Sequence, residues 1–487
     1  MDIKLNFNFK IPKIDLPKIN LSKYFPKKFT MPKLSIGDLV IDTPIIQGGM
    51  GVRISLSGLA SAVANEGGIG VIAANAIGME EKDYYKNGKE ANIRALRNEI
   101  RKARSLTEGI IGINIMVAAN DFLDLLNVSI EEKADLVFLG AGLPIRGIPI
   151  EKIKTSNIKI VPIVSSARAA SLIFKFWDKK FNRLPDAVVV EGPKAGGHLG
   201  FSVEQISEPN YQLEKIIPEV VEAISAYEKE NAIKIPVIAA GGIFTGNDIY
   251  DFFKLGAKGV QMGTRFVATN ECEVAQEFKE IYVNSKKEDI AIINSPVGMP
   301  GRALTNDFIK KAHSGVRQKF KCAWKCLEHC KAGKANYCIS EALNNARLGL
   351  MDNGYAFAGS NVFRVKEIVP VKTLITELQK SYEKYVSRAI IPIKNEFEKT
   401  LERVSSLIEE YLITAEKKKK MLIFEMEGIM EKSTISLKEE YNKTVQKIDK
   451  LKLEYALQLK KFDELKLQLS AFFDISSISL PRLSVFQ

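Results

Sequence analysis

The sequence predicts an α/β fold of the TIM-barrel class, a ring of eight parallel strands covered by helices, with an extended N-terminal arm and a C-terminal helical extension. Eight short, continuously apolar runs alternate with helical stretches, which is typical of parallel strands buried on both faces. These runs occupy about 240 residues, which matches the usual length of such a barrel. A chain of 487 residues with 46% hydrophobic residues has room for this core and for additional segments.

The barrel domain is predicted to span residues 34–378. The eight predicted strands are PIIQG (44–48), GIGVIAA (68–74), GIIGINIMV (109–117), ADLVFLG (134–140), IKIVPIV (158–164), DAVVVEG (186–192), IPVIAAGG (235–242) and KGVQMG (258–263). The helical intervals between them include 55–66, 91–105, 167–176, 213–229 and 246–255. A doubly wound open sheet is the alternative arrangement of the same elements.

The segments on either side of the barrel differ in composition. Residues 1–33 form a lysine- and proline-rich arm without glycine, in which IKLNFNFKI (3–11) alternates like a half-buried strand. The prolines favour an edge strand or a flexible arm. Residues 379–487 carry apolar residues at three- and four-residue spacing, which predicts amphipathic helices joined near Gly428 as a hairpin or coiled coil. We expect both extensions to mediate homo-oligomerisation or a larger assembly.

Composition excludes several classes of function. The net charge is +12, but no basic motif interleaved with aromatic residues indicates nucleic-acid binding. No apolar run reaches the roughly 18 residues that a membrane span requires. The N-terminus lacks the unbroken apolar stretch of a secretory signal. Four of the five cysteines lie between residues 322 and 338, which fits a reducing compartment, and we therefore expect a cytoplasmic protein.

The active site of a barrel of this class lies at the carboxyl ends of its strands. This rule selects candidate residues from separate parts of the sequence: Gly49, Met50, Asn75, Asn114, Ser165, Glu191 and His198. Glycine clusters end the seventh strand, at Gly241 and Gly242, and the eighth, at Gly263 before Thr264. Loops after these two strands commonly form a phosphate site, and Arg265 is expected nearby.

Four segments carry a family resemblance: PIIQGGMG, EGPKAGGHLGF, IPVIAAGGI and GVQMGTRFVATNE. They resemble the signature segments of the nitronate monooxygenase family and are similar to those of its sister group, the flavin-dependent enoyl-ACP reductases. The resemblance covers roughly residues 36–375 and implies FMN at the barrel mouth. It implies flavin contacts from Gly49, Met50, Asn114, Glu191, Gly196 and Gly197, and phosphate contacts from Gly241, Gly242, Gly263 and Thr264. Asn75 and Ser165 are expected from their strand-end positions alone.

The resemblance also implies that His198 is catalytic. It implies no such role for His313 or His329. A neutral imidazole can accept an acidic α-proton at physiological pH. The implied reaction is the oxidation of alkyl nitronates by O2 to a carbonyl compound and nitrite. One alternative is an enoyl-thioester reductase that uses NAD(P)H as electron donor, and another is a flavoprotein that serves as cargo or as an assembly component. Arg302 and Asn306 could make substrate or structural contacts, of which we favour the structural.

A cysteine-rich segment, CAWKCLEHCKAGKANYC (322–338), follows the predicted barrel. Cys322, Cys326 and Cys330 are four residues apart, so they would share one face of a helix, and Cys338 follows eight residues later. Four thiolates can hold zinc or an iron–sulfur cluster, although this spacing matches neither a CxxC pair nor a ferredoxin run. The alternative is a group of reduced, half-buried thiols that pack the segment.

Overall fold

The computed structural model of the chain describes residues 29–322, 324–328, 330–428 and 434–470. The strand predicted at residues 3–11 lies outside these ranges. The chain divides into two compact units, one of residues 30–383 and one that includes the chain from residue 384 onward. The domain boundaries inferred from the sequence stay a prediction.

The unit of residues 30–383 contains the predicted barrel. Its strands are β1 (Leu34–Ile36), β2 (Leu39–Ile41), β3 (Ile45–Gln47), β4 (Gly70–Ala73), β5 (Ile111–Met116), β6 (Leu136–Gly140), β7 (Lys159–Val164), β8 (Val188–Glu191), β9 (Gly197–His198), β10 (Val237–Ala240), β11 (Gly259–Met262), β12 (Ile290–Asn294) and β13 (Pro300–Leu304). Strands β3–β8, β10 and β11 are parallel and correspond to the eight predicted runs. The TIM-barrel prediction is therefore confirmed.

The barrel is closed by hydrogen bonds between its first two strands. The hydrogen-bonded order is β3-β11-β10-β8-β7-β6-β5-β4, which leaves β3 and β4 at the two ends. The Gln47 amide donates to the Ile69 carbonyl at 3.0 Å, and the Ile69 amide donates to the Ile45 carbonyl at 3.0 Å. These bonds join the two ends into a ring and exclude the open-sheet alternative.

Helices cover the outside of the ring. In chain order they are α1 (Ser57–Asn65), α2 (Gly88–Leu106), α3 (Phe122–Glu131), α4 (Ile150–Lys154), α5 (Ala167–Phe181), α6 (Leu213–Asn231), α7 (Gly246–Lys254), α8 (Thr264–Val267) and α9 (Gln276–Asn284). All five predicted helical intervals are helices. After the barrel come α10 (Asp307–His313), α11 (Ile339–Arg347), α12 (Val371–Gly428) and α13 (Thr434–Ser470).

The β1–β2 hairpin closes the end of the barrel where the strands begin. The side chains of Leu34 and Ile36 are buried in one cluster with interior strand residues such as Phe138. Asp38, in the hairpin turn, pairs with Lys159 at the start of β7 at 2.5 Å. With this end filled, access to the barrel is from the carboxyl ends of the strands.

The second unit contains α13 and the part of α12 from residue 384 onward, which form an antiparallel pair. Phe397 packs against Phe462 with ring centroids 4.6 Å apart, and Lys461 pairs with Glu396. The helical C-terminal extension predicted from the sequence is therefore confirmed, with α12 ending at Gly428. Assembly through these helices stays a prediction. None of the helices in the described ranges combines the length and apolar character needed to cross a bilayer.

We predict that the hairpin is a major source of barrel stability. Ile36 is completely buried, so Ile36→Ala should lower the free energy of unfolding by about 2–5 kcal/mol in urea titrations. Val40, in the same hairpin, is 57% exposed, and Val40→Ala should change that free energy by no more than about 0.5 kcal/mol. Equal effects of the two substitutions would show that the hairpin does not seal the core.

Candidate active site

One cavity of about 560 Å³ opens at the carboxyl ends of the barrel strands. Its volume is in the range typical of cofactor and substrate sites. The structure brings all of the cofactor-site and catalytic residues predicted from the sequence to its wall: Gly49, Met50, Asn75, Asn114, Ser165, Glu191, Gly196, Gly197, His198, Gly241, Gly242, Gly263 and Thr264. Their individual roles stay predictions.

The loops after β10 and β11 present backbone donors to the cavity. Gly242 has a φ of +91°, a conformation that favours glycine, and a side chain there would also meet Lys194. The Thr264 hydroxyl accepts a hydrogen bond from the Gly359 amide at 3.0 Å, which leaves its own proton available. Within the described part of the chain, the amides of Gly242, Gly263 and Thr264 donate to no protein group. This set of donors suits a phosphate.

Arg265, which the sequence places near this position, does not line the cavity. Its guanidinium donates to the Phe244 carbonyl at 3.2 Å and pairs with Glu377 at 2.7 Å. It also lies over the Phe244 ring, at 4.8 Å from the ring centroid. These contacts direct the side chain away from the cavity wall.

His198 is held over the barrel mouth by a small antiparallel sheet. It lies in β9, where it pairs with Gly301 of β13, and β13 pairs in turn with β12. Its Nε2 lies 2.7 Å from the Ser295 hydroxyl, and its ring meets the Phe357 ring edge-on at 5.2 Å. Burial lowers the pKa of the imidazole to about 4. The ring is therefore neutral at physiological pH.

Arg302 fixes the loop that leads to His198. Its guanidinium, in a side chain only 7% exposed, donates to the carbonyls of Pro193 and Ala195, the latter at 2.7 Å. Burial lowers its pKa to about 10, so it stays protonated near neutral pH.

Asn306 caps α10, because its side-chain oxygen accepts a hydrogen bond from the Ile309 amide at 3.0 Å. The structural role that the sequence favours for both Arg302 and Asn306 is confirmed.

Glu191 contributes a carboxyl group to the same cavity. It ends β8, and among the described residues no side chain or amide pairs with its carboxyl. Burial raises the pKa of this group to about 7. The Oδ1 of Asn75 accepts the Met116 amide at 2.8 Å, so Asn75 also joins the ends of two strands. The cavity therefore combines a neutral imidazole with a carboxyl group that can exchange a proton near neutral pH.

The metal site predicted for Cys322, Cys326, Cys330 and Cys338 is not supported. Among the described residues, no group of three or more potential ligands is arranged to hold a metal ion. The prediction assumed a helix, but the described part of the segment is irregular up to the start of α11. The Cys322 thiol contacts the Trp324 carbonyl at 3.5 Å and the Cys326 thiol contacts the Ser340 hydroxyl at 3.8 Å. All four cysteines are free.

The alternative interpretation, a group of reduced thiols that pack the segment, describes the structure better. The four cysteines line a second cavity of about 260 Å³. Burial raises the pKa of the Cys326 thiol to about 11 and also raises those of Cys330 and Cys338. These shifts favour the neutral thiol form in the metal-free protein.

Several residues of the site were not predicted. Ser295 and Phe357 contact His198, and Gln261 and Gly359 line the cavity beside the glycine clusters. Gln261 could have been predicted from the sequence, because it belongs to the last barrel strand and lies next to the end of that strand, before Met262. Ser295, Phe357 and Gly359 come from segments after the barrel, where no periodic pattern indicates that the chain returns to the mouth.

Comparisons with known proteins agree on one family. A family model described as nitronate monooxygenase matches residues 33–381. The probable nitronate monooxygenase of Staphylococcus saprophyticus is 29% identical over 301 residues, which cover 56% of this chain and 79% of that protein. A second relative is the (3aS,4S,5R,7aS)-5-hydroxy-7a-methyl-1-oxo-octahydro-1H-indene-4-carboxyl-CoA dehydrogenase of Mycobacterium tuberculosis. It is 28% identical over 279 residues, which cover 57% of this chain and 68% of that protein. The solved structure of FabK from Thermotoga maritima matches with a TM-score of 0.56 at 29% identity, over 72% of this chain and 95% of that chain.

We predict that His198 stays uncharged throughout the physiological range. Because burial disfavours the charged imidazolium, the ring should protonate only as the pH falls towards about 4, instead of near 6.5. In NMR spectra of protein labelled at the histidine ring carbons, the His198 signal should not move between pH 8 and 5.5. The chain has three histidines, and His198→Gln identifies the signal. A midpoint between pH 6 and 7 would contradict the prediction.

Proposed function

Because the chain belongs to the nitronate monooxygenase family, whose members are flavin-dependent oxidoreductases, we propose that it oxidises alkyl nitronates with O2, using FMN, to a carbonyl compound and nitrite. The observation that carries this proposal is the position of His198. A neutral imidazole lies in the wall of the same cavity as the glycine-rich loops of the predicted phosphate site.

The geometry of the cavity fits FMN. The amides of Gly242, Gly263 and Thr264 and the Thr264 hydroxyl would hold the phosphate. Gly197 has a φ of +79°, and no atom lies within 4 Å of the position of a side chain there, so its backbone faces open space. A flat ring system can approach such a backbone closely. FMN bound there would supply the two-electron redox chemistry of the reaction.

His198 would act as a base towards neutral nitroalkanes. When its Nε2–H donates to the Ser295 hydroxyl, Nδ1 keeps a free lone pair that can accept an α-proton. The resulting imidazolium keeps its hydrogen bond to Ser295, which holds the ring in one orientation. Arg302, through the carbonyls of Pro193 and Ala195, fixes the loop that carries this ring. Nitronates arrive already deprotonated, so they do not need this step.

A second function is favoured by one of the relatives. The dehydrogenase of M. tuberculosis is named for a carboxyl-CoA substrate, which is a thioester. The segments QGGM (47–50) and GGHLG (196–200) also resemble those of the enoyl-ACP reductases. An enoyl-thioester reductase with NAD(P)H as electron donor is therefore the alternative, and the nicotinamide and the thioester would use the same mouth in turn. A cytoplasmic location and assembly through the terminal extensions stay predictions from the sequence.

We predict that the purified protein is yellow and that its flavin is bleached quickly by propyl nitronate in the absence of O2. Admission of O2 should restore the flavin absorbance, and nitrite should accumulate in proportion to the nitronate oxidised. Stopped-flow absorbance with propyl nitronate, NADH and NADPH in parallel separates the two candidate functions. Fast bleaching by a nicotinamide and none by the nitronate would support the reductase, and a protein that takes up no FMN would contradict both.

We predict that His198→Asn separates nitroalkane from nitronate oxidation. Loss of a general base should lower kcat/KM for neutral nitroethane about 10²- to 10⁴-fold. The value for ethyl nitronate should fall less than about tenfold, because no proton has to be removed. His313→Asn is the matched control, since His313 is exposed at the end of α10, and it should leave both values unchanged. Equal losses on both substrates would exclude proton abstraction as the role of His198.

A further inference from the structure

Part of the cavity wall is formed by the segment that follows the barrel. We call this part of the cavity the alkyl arm and define it by five lining residues: Met116, Trp324, Leu327, Ile339 and Leu343. Met116 ends β5, whereas the others come from the cysteine-rich segment and α11. The arm therefore joins the barrel mouth to a part of the chain that contributes none of the predicted flavin contacts.

Backbone hydrogen bonds fix the outer wall of the arm to the barrel. Leu327 forms an isolated antiparallel bridge with Ala119, in the loop after β5. The Asn120 amide donates to the Cys326 carbonyl at 3.1 Å, and the Glu328 amide donates to the Ala118 carbonyl at 3.0 Å. A wall held by these backbone hydrogen bonds can keep a defined shape when a ligand enters.

The side chains of this wall are apolar and buried. Leu327, Ile339 and Leu343 are 9%, 4% and 8% exposed, and they belong to one hydrophobic cluster. Ile339 and Leu343 are four residues apart in α11, so they lie on the same face of that helix. Cavities lined in this way bind apolar ligands in preference to water.

The polar groups at the edge of the arm are already engaged with each other. Asp121 accepts a hydrogen bond from the Asn92 amide at 2.7 Å, and burial raises the pKa of its carboxyl group. Asn92 in turn accepts the Gly78 amide at 2.8 Å. The Trp324 Nε1–H has no hydrogen-bond partner among the described residues. Apart from this one donor, this end of the cavity offers little to a charged ligand and favours a hydrocarbon.

The position of the arm on the rim leaves room for flavin and substrate together. Gly242 follows β10 and Met116 ends β5, and these strands are four places apart in a ring of eight. The phosphate position and the arm therefore lie on opposite sides of the mouth. A ligand that reacts beside His198 could extend its far end into the arm without meeting the phosphate site.

We propose that the alkyl arm binds an unbranched hydrocarbon chain of the substrate, so that the enzyme prefers long-chain over short-chain compounds. The inference rests on the proposed function for the identity of the reacting group, which may be a nitronate or a thioester. The arm itself is formed by side chains that the structure describes, so its existence does not depend on which reaction occurs. Binding in the arm can therefore be tested with ligands that neither reaction consumes.

The test uses straight-chain 1-alkanols from butanol to decanol and the fluorescence of the full chain. Trp324 lines the arm, whereas Trp177, the second of two tryptophans, is completely buried and donates to the Pro144 carbonyl at 2.8 Å. Binding should shift the Trp324 emission, and each added methylene should tighten Kd roughly fourfold until the arm is full. The shift should disappear in Trp324→Phe. Equal Kd values for butanol and decanol would overturn the proposal.

Substitutions at one position should change the chain-length dependence in opposite directions. Leu343→Phe fills the arm and should weaken decanol binding at least tenfold relative to butanol. Leu343→Ala enlarges the arm and should extend the preference to longer chains. Leu350→Phe is the matched control, since Leu350 is 51% exposed, and it should bind all alkanols normally. The proposal fails if Leu343→Phe, shown by circular dichroism to be folded, or Leu343→Ala leaves the series unchanged.

Failure of the inference and failure of the proposed function give different results. A chain that binds decanol as expected but oxidises no nitronate would keep the arm and lose the nitronate reaction. A chain that oxidises propyl nitronate, with no increase in kcat/KM from propyl to octyl nitronate, would keep the reaction and lose the arm. If both hold, kcat/KM should rise along the nitronate series, and Leu343→Phe should abolish that rise.

Discussion

Closure of the eight-stranded ring is the constraint on which the rest of the structure depends. The hydrogen bonds between β3 and the residue before β4 are few, yet they place the carboxyl ends of all eight strands on one rim. Residues separated by more than 200 positions, such as Gly49 and Thr264, thereby line one cavity. The β1–β2 hairpin fills the opposite end, which leaves this rim as the entrance to the barrel.

A second layer is built on this rim by segments that follow the barrel. The β12–β13–β9 sheet, Arg302 and Phe357 converge on His198, and the cysteine-rich segment walls one side of the mouth. The barrel therefore supplies the glycine-rich loops, whose backbone amides are free among the described residues, and the added layer supplies the orientation and the low pKa of the imidazole. Under the proposed function, cofactor binding and proton transfer would be carried by different parts of the same chain.

The barrel and its rim could be predicted from sequence because their signals are local. A buried parallel strand is a continuous apolar run, and each strand end identifies site residues such as Asn114 and Gly242 without knowledge of distant contacts. Ser295 and Phe357 could not be found in this way, because their positions depend on long-range pairing with β9. The metal site predicted from the cysteine spacing was not supported for a related reason. A four-residue repeat aligns side chains only in a helix, and this segment is mostly irregular.

The pairing of β9 with β13 has a consequence for how the enzyme matures. All eight barrel strands precede residue 263, whereas Ser295, Arg302 and Phe357 follow it, so the strands of a nascent chain emerge from the ribosome before these partners do. During that interval the loop carrying His198 lacks its strand partner. A product truncated soon after the eighth strand would therefore lack the contacts of Ser295, Arg302 and Phe357 with this loop and with the His198 ring.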